Sequence, residues 1–201
     1  MSVFAGDMRV VEQNFFPVDV SETERDRNYW ATHANLSEAG VASLRSAEIL
    51  LVPWKDRGTS GLSFPTGTAD LFRALSRKLG EGKVVIAAEP SQYFELALHA
   101  NEHRWPTIIV STVFLGALAN VLGDEIEKLI SAPAPPTAIE LTVAIEGENG
   151  KCISIDYKGP PSRLIETLLQ ESARCLPPGK PEAPSKETTI RNNSSGPETA
   201  K

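Results

Sequence analysis

The chain has 201 residues, 41% of them hydrophobic and 23% charged, with a mean hydropathy of -0.18. That size and mixture can bury a core, which excludes the fibrous and wholly disordered classes. A net charge of -6 and a pI near 5.2 supply no field that would draw in nucleic acid or an anionic membrane surface, so neither is an expected partner.

The first stretch, "MSVFAGDMRVVEQN", lacks a basic region followed by an apolar core, and so carries no secretory signature. Cys152 and Cys175 match no disulfide framework, zinc spacing or redox motif. Both read as structural or incidental, and a reduced, cytoplasmic setting is expected. Residues 1–46 are expected to pack onto the core, with a strand at Met8 to Val11 and a short helix announced by the S-x-x-E pattern of Ser21 and Glu24. Phe15, Phe16, Tyr29 and Trp30 are the aromatic anchors of that segment.

Residues 47–176 read as an α/β domain. "EILLVPW" is an apolar run of strand length, and the helix that follows puts Leu71, Phe72, Leu75 and Leu79 on one face before stopping at Gly80. "KVVIAA" and "TIIV" read as second and third buried strands, each followed by a helix, the last ending near Ser131. The alternation predicts a three-stranded parallel βαβαβα core. Beyond the linker "APAPPT" the period changes to two: Ile139, Leu141, Val143 and Ile145 alternate with Glu140, Thr142, Ala144 and Glu146, giving a strand with one wet face. Asn149-Gly150 suits a type I′ turn and Ile153, Ile155 and Tyr157 continue the alternation, so a C-terminal antiparallel hairpin is expected. "GPPSRLIETLLQES" supplies a final helix, with Leu164, Ile165, Leu168 and Leu169 in one stripe. The remainder, 177–201, is rich in Pro, Ser, Lys, Glu and Gly and reads as a disordered tail.

From Trp105 to Gly123 no residue is charged, a length that would just span a bilayer. Pro106, the β-branched run Thr107 to Val110, Asn120 and two glycines fit a buried strand plus a buried helix better, which argues against a membrane role.

Two stretches carry candidate chemistry. "HANEH" places His99, Glu102 and His103 in the H-x-x-E-H order of inverzincin metallopeptidases, where two imidazoles one helical turn apart hold zinc. The resemblance covers five residues. On a helix they fall on the polar face with Gln92 and Glu95, away from the stripe of Phe94, Ala97, Leu98, Asn101 and Trp105, so no resident metal is expected. The second stretch is "WKDRGTSGLSFPTGT", a long strand-to-helix loop at the carboxyl end of the first strand, where parallel sheets bind ligands. Lys55 and Arg57, the small and hydroxylic Thr59 and Ser60, and the helix end beyond them could cradle an anion, with Glu89 on the same rim and Ser111 and Thr112 beside it. The order is neither a P-loop nor G-x-G-x-x-G.

No nucleophile elbow accompanies His33, His99 or His103, and no cofactor or catalytic residue is assigned. The leading expectation is a non-enzymatic regulatory or assembly module acting through protein contacts, self-association included. A nucleotide or other phosphate-bearing small molecule at residues 55–68 is the alternative, and a zinc-dependent hydrolase on the HANEH helix the third.

Overall fold

The computed structural model describes residues 18–54, 63–97, 102–147 and 152–175. The strand expected at Met8 to Val11, Phe15, Phe16, the Asn149-Gly150 turn and the 177–201 tail lie outside them.

The described chain is an α/β fold around one mixed sheet. It runs through strand β1 (Val18–Thr23), helices α1 (Arg27–His33) and α2 (Glu38–Ser46), strands β2 (Ile49–Val52) and β3 (Phe64–Pro65), helix α3 (Thr68–Leu79), and strands β4 (Val84–Ile86), β5 (Glu95–Leu96), β6 (Glu102–Arg104) and β7 (Thr107–Ser111). Helix α4 (Leu115–Ile130), strands β8 (Ala138–Glu146) and β9 (Cys152–Gly159) and helix α5 (Leu164–Cys175) complete it. The main sheet has the order β1-β9-β8-β7-β2-β4, with β6 also on β8, while β3 and β5 form a separate pair.

Two crossovers account for the parallel pairs. α3 carries the chain from β2 to β4, and α4 carries it from β7 to β8. The expected single parallel core is corrected at β7, which runs antiparallel to β2, Ile49 opposite Val110. The described residues between β4 and β7 form no helix, and that accounts for the reversal. A parallel strand needs a long crossover to return the chain to the starting end of the sheet. Here β5 and β6 keep the chain at the end where β4 finishes, and β7 re-enters from that end. Trp105, before Pro106, is confined to extended backbone, so β6 and β7 line the same edge of β8 with a break between them.

The N-terminal helix also begins later than expected. Ser21 is drawn into β1, opposite Ser154 of β9, and Asp26 caps α1 by accepting from the Tyr29 N–H at 2.7 Å. The β8–β9 hairpin is as expected, Leu141 opposite Tyr157 and Val143 opposite Ile155. Tyr157 is buried and donates to the Pro160 carbonyl at 2.7 Å, which ties the hairpin to the turn that opens α5; burial pushes its phenol up to about 12.

The sheet has two unlike faces. One carries Ile49, Leu51, Ile108, Val110, Ile139, Leu141, Val143, Ile145, Ile155 and Tyr157, and is covered by Leu71 and Leu75 of α3, Leu118 and Leu122 of α4, and Leu164 and Leu168 of α5. Burying side chains of this size contributes about 1.5–3 kcal/mol each before chain entropy is counted. Leu169, expected in the apolar stripe of α5, is 45% exposed. The other face is apolar at Leu50, Val52, Ala87, Ile109 and Ala144, under Ala34, Leu36, Leu44 and Trp30 from the α1–α2 region. Arg27 clamps that layer: its guanidinium meets the Glu146 carboxylate at 2.7 Å, donates to the Leu44 carbonyl at 3.0 Å, and also donates to the Ala47 carbonyl.

Trp105 to Gly123 resolves into the end of one strand region, β7 and the first half of α4. Among the described residues no helix is long and apolar enough to cross a membrane.

Candidate functional site

Of the anion site expected at the carboxyl end of β2, only part falls within the described residues. Lys55, Arg57, Thr59 and Ser60 lie outside the described residues. Glu89 is within them, and its carboxylate is engaged elsewhere, accepting from the Ser37 N–H at 2.6 Å at the N-terminus of α2. The Ser37 backbone and side-chain hydrogen bonds hold its carboxyl below the ordinary value. The N-terminus of α3 is occupied as well. Gly67 enters it with φ +94, a conformation that favours glycine, and the Glu95 carboxylate accepts from the N–H groups of Gly67 at 3.2 Å and Ala69 at 2.9 Å. Tyr93 donates its hydroxyl to the same carboxylate. Burial raises the Glu95 pKa, but these donors outweigh it and the net direction is down. Ser111 and Thr112 sit at the far end of the sheet, because the reversed β7 finishes where β2 begins.

The HANEH stretch is corrected as a helix. His99 lies outside the described residues, while Glu102 and His103 are successive residues of β6 and so point to opposite faces. Glu102 pairs with Lys158 at 3.0 Å and with Arg104 at 3.5 Å. His103 turns toward Trp105, ring centres 5.4 Å apart, and toward Gly67; its burial lowers its pKa and favours the neutral ring. Glu102 and His103 therefore lack the helical placement that the zinc pattern assumes. Among the described residues no group of three or more His, Cys, Asp or Glu is placed to hold a metal ion.

A different place emerges on the second sheet face. α1 and α2 cover its β2–β4 side, and the β8, β9 and β1 side is left as a groove of about 230 Å³, its lining including Glu22, Arg25, Trp30, Pro53 and Thr107 together with Ser21, Thr23, Thr142, Ser154 and Asp156 of the strands. These are the wet-face positions of the strands: Thr142 pairs with Asp156, which pairs in turn with Asp19. Thr142 donates its hydroxyl to Asp156. Further along the same face, Arg104 lies over the Trp54 ring at 4.7 Å and meets Glu140 at 2.8 Å. No family model matches this chain, and neither a curated protein nor a solved structure shows significant similarity to it.

A larger cleft, about 600 Å³ between α3 and α4, differs in kind from this groove. Its charges pair along their own helices, Arg73 with Asp70 and Lys128 with Glu125 at 2.6 Å. Such exposed pairs are ordinary for solvated helix faces. The sheet groove instead combines aligned strand side chains with a tryptophan wall. The alternation of Glu140, Thr142 and Ala144 carried the signal for it, but nothing in the sequence says that α1 and α2 stop short of covering those positions.

Proposed function

We propose that this chain is a non-enzymatic binding module, and that the open part of the second sheet face is where it meets a protein partner. The observation behind this reading is the incomplete cover of that face. A sheet face with nothing to do in binding needs either an apolar surface under helices or a uniformly solvated one. This face has a groove with Trp30 and Arg25 at its edge and the Arg104–Trp54 stack nearby. Tryptophan and arginine are the residue types that dominate interface energetics, since each offers a broad apolar surface and directed donors.

Phosphate binding at residues 55–68 is the weaker reading. The helix end that would receive the anion already holds the Glu95 carboxylate, and Glu89 is engaged at α2. Zinc hydrolysis loses its helical spacing at Glu102 and His103.

The test is the native mass of the protein in extracts of the cells that make it. The wild-type chain is expected above its 21.7 kDa, and Thr142→Arg, which fills the groove without touching the core, is expected to return it to the monomer mass. A purified wild-type protein that keeps the larger mass identifies the partner as a second copy. A wild-type monomer in extract, or an assembly indifferent to Thr142→Arg, overturns the proposal.

A further inference from the structure

Resting on that reading, we infer that the partner docks as an extended basic strand added to the outer edge of β1, beside the groove. β1 is the end strand of the main sheet. Val18 to Thr23 pair with Tyr157 to Cys152 of β9 without a break, and among the described residues no strand pairs with the outer side. Alternate residues of an edge strand turn their N–H and C=O groups outward, and another extended chain is what matches such a row. Proteins blunt these edges with short strands, lysine, proline, bulges or a covering helix. The opposite end strand, β4, is finished in this way: it has three residues, follows Lys83, and packs with α2 and α3. β1 has six residues with no lysine, proline or bulge, and Asp19 to Glu22 are exposed.

The side chains set the kind of strand that fits. A row of opposed apolar residues crosses the sheet from Leu51 through Ile108, Val143 and Ile155 to Val20. The first four are fully buried, whereas Val20, at the end of the row, is 41% exposed. An apolar residue opposite Val20 on an added strand extends the row and takes that surface out of water. The flanking residues of the added strand turn to the other face, beside Asp19 and Ser21, where the groove begins. The charged residues of β1, Asp19 and Glu22, are both acidic, so cross-strand pairing selects lysine or arginine next to the apolar position. A second copy is the poorer occupant, because it presents the same acidic strand on a chain of net charge -6. Main-chain pairing supplies affinity in strand addition and the alternating side chains supply choice of partner.

The probe is the acetylated, amidated peptide KVKVKV, titrated into the full-length protein and followed by amide chemical shifts and hydrogen exchange. Saturable shifts centred on β1 and slowed exchange of its amides are expected. The isostere EVEVEV and the variant Val20→Lys are each expected to weaken binding roughly tenfold or more, and a fully N-methylated KVKVKV, which has no backbone donors, is expected not to bind. Val20 is exposed, so Val20→Lys is expected to keep the wild-type Tm. No shifts, shifts away from β1, equal binding of EVEVEV or of the N-methylated peptide, or indifference to Val20→Lys would overturn the inference. So would a purified wild-type dimer that Val20→Lys dissociates, which assigns the edge to a second copy. The two proposals fail separately. An assembly in extract that is lost in Thr142→Arg but kept in Val20→Lys leaves the interface and removes the added strand. Binding of KVKVKV at β1 by a chain that is monomeric in extract keeps the edge site and removes the assembly.

Discussion

The two faces of the sheet are built from alternate residues of the same strands, yet they are finished differently. On β8, Leu141 and Val143 point into a layer closed by α3, α4 and α5, whereas Thr142 points into the groove beside Trp30. The closed face obeys one requirement, that apolar area leave water, and any side chain of the right volume serves it. The open face obeys no such requirement, so what is found there needs a reason beyond folding. The proposed interface lies on the face that the hydrophobic effect leaves unfinished.

Substitution of two adjacent residues breaks the comparison most directly. Leu141→Ala is expected to cost about 2–5 kcal/mol, since a 1% exposed side chain leaves a cavity behind, while Thr142→Ala stays within about 0.5 kcal/mol. Urea denaturation of the two variants measures the difference. Similar losses at both positions would mean that the groove is a structural element.

The boundary between covered and open regions depends on Arg27. Removing it leaves the Glu146 carboxylate and the Leu44 and Ala47 carbonyls without their donor, in a part-buried setting where the penalty is roughly 2 kcal/mol. Arg27→Ala is expected to lower Tm and to raise amide exchange in α1 and α2 before it does so in α4.

A smaller effect belongs to Glu95. Its folded pKa lies below the ordinary value of 4.5, so the unfolded chain binds the proton more readily and the carboxylate's contribution is present above that value, then lost as pH falls through the folded pKa. Glu95→Ala is expected to cost roughly 1 kcal/mol at neutral pH, as other helix-capping losses do, with a gap to wild type that narrows in acid. Denaturation midpoints across pH check this, and a gap that widens in acid would contradict it.

Much of the fold was legible because periodicity reports local structure. The apolar run of β2, the stripe of α3 ending at Gly80 and the alternation of β8 and β9 are visible without coordinates. What the pattern could not carry was direction. "TIIV" is a buried strand whether it runs with β2 or against it, and only the missing crossover before it decides. The HANEH stretch failed for a related reason. Its polar and apolar residues fit a helical wheel, but tertiary pairing of Glu102 with Ala138 and Arg104 with Glu140 drew residues 102–104 into a strand. Glu89 and Glu95 were indistinguishable as acids in sequence, and both proved to be bound to helix N-termini. The groove was half legible, its floor from alternation and its openness from nothing local.

The decisive measurement is photo-crosslinking in the producing cells with a reactive residue at Thr142 in the groove, beside a control at Ser76 in the α3–α4 cleft. A discrete protein adduct from Thr142 and none from Ser76 is the expected result. Adducts from both positions alike, or from neither, would contradict the assignment of binding to the open face of the sheet.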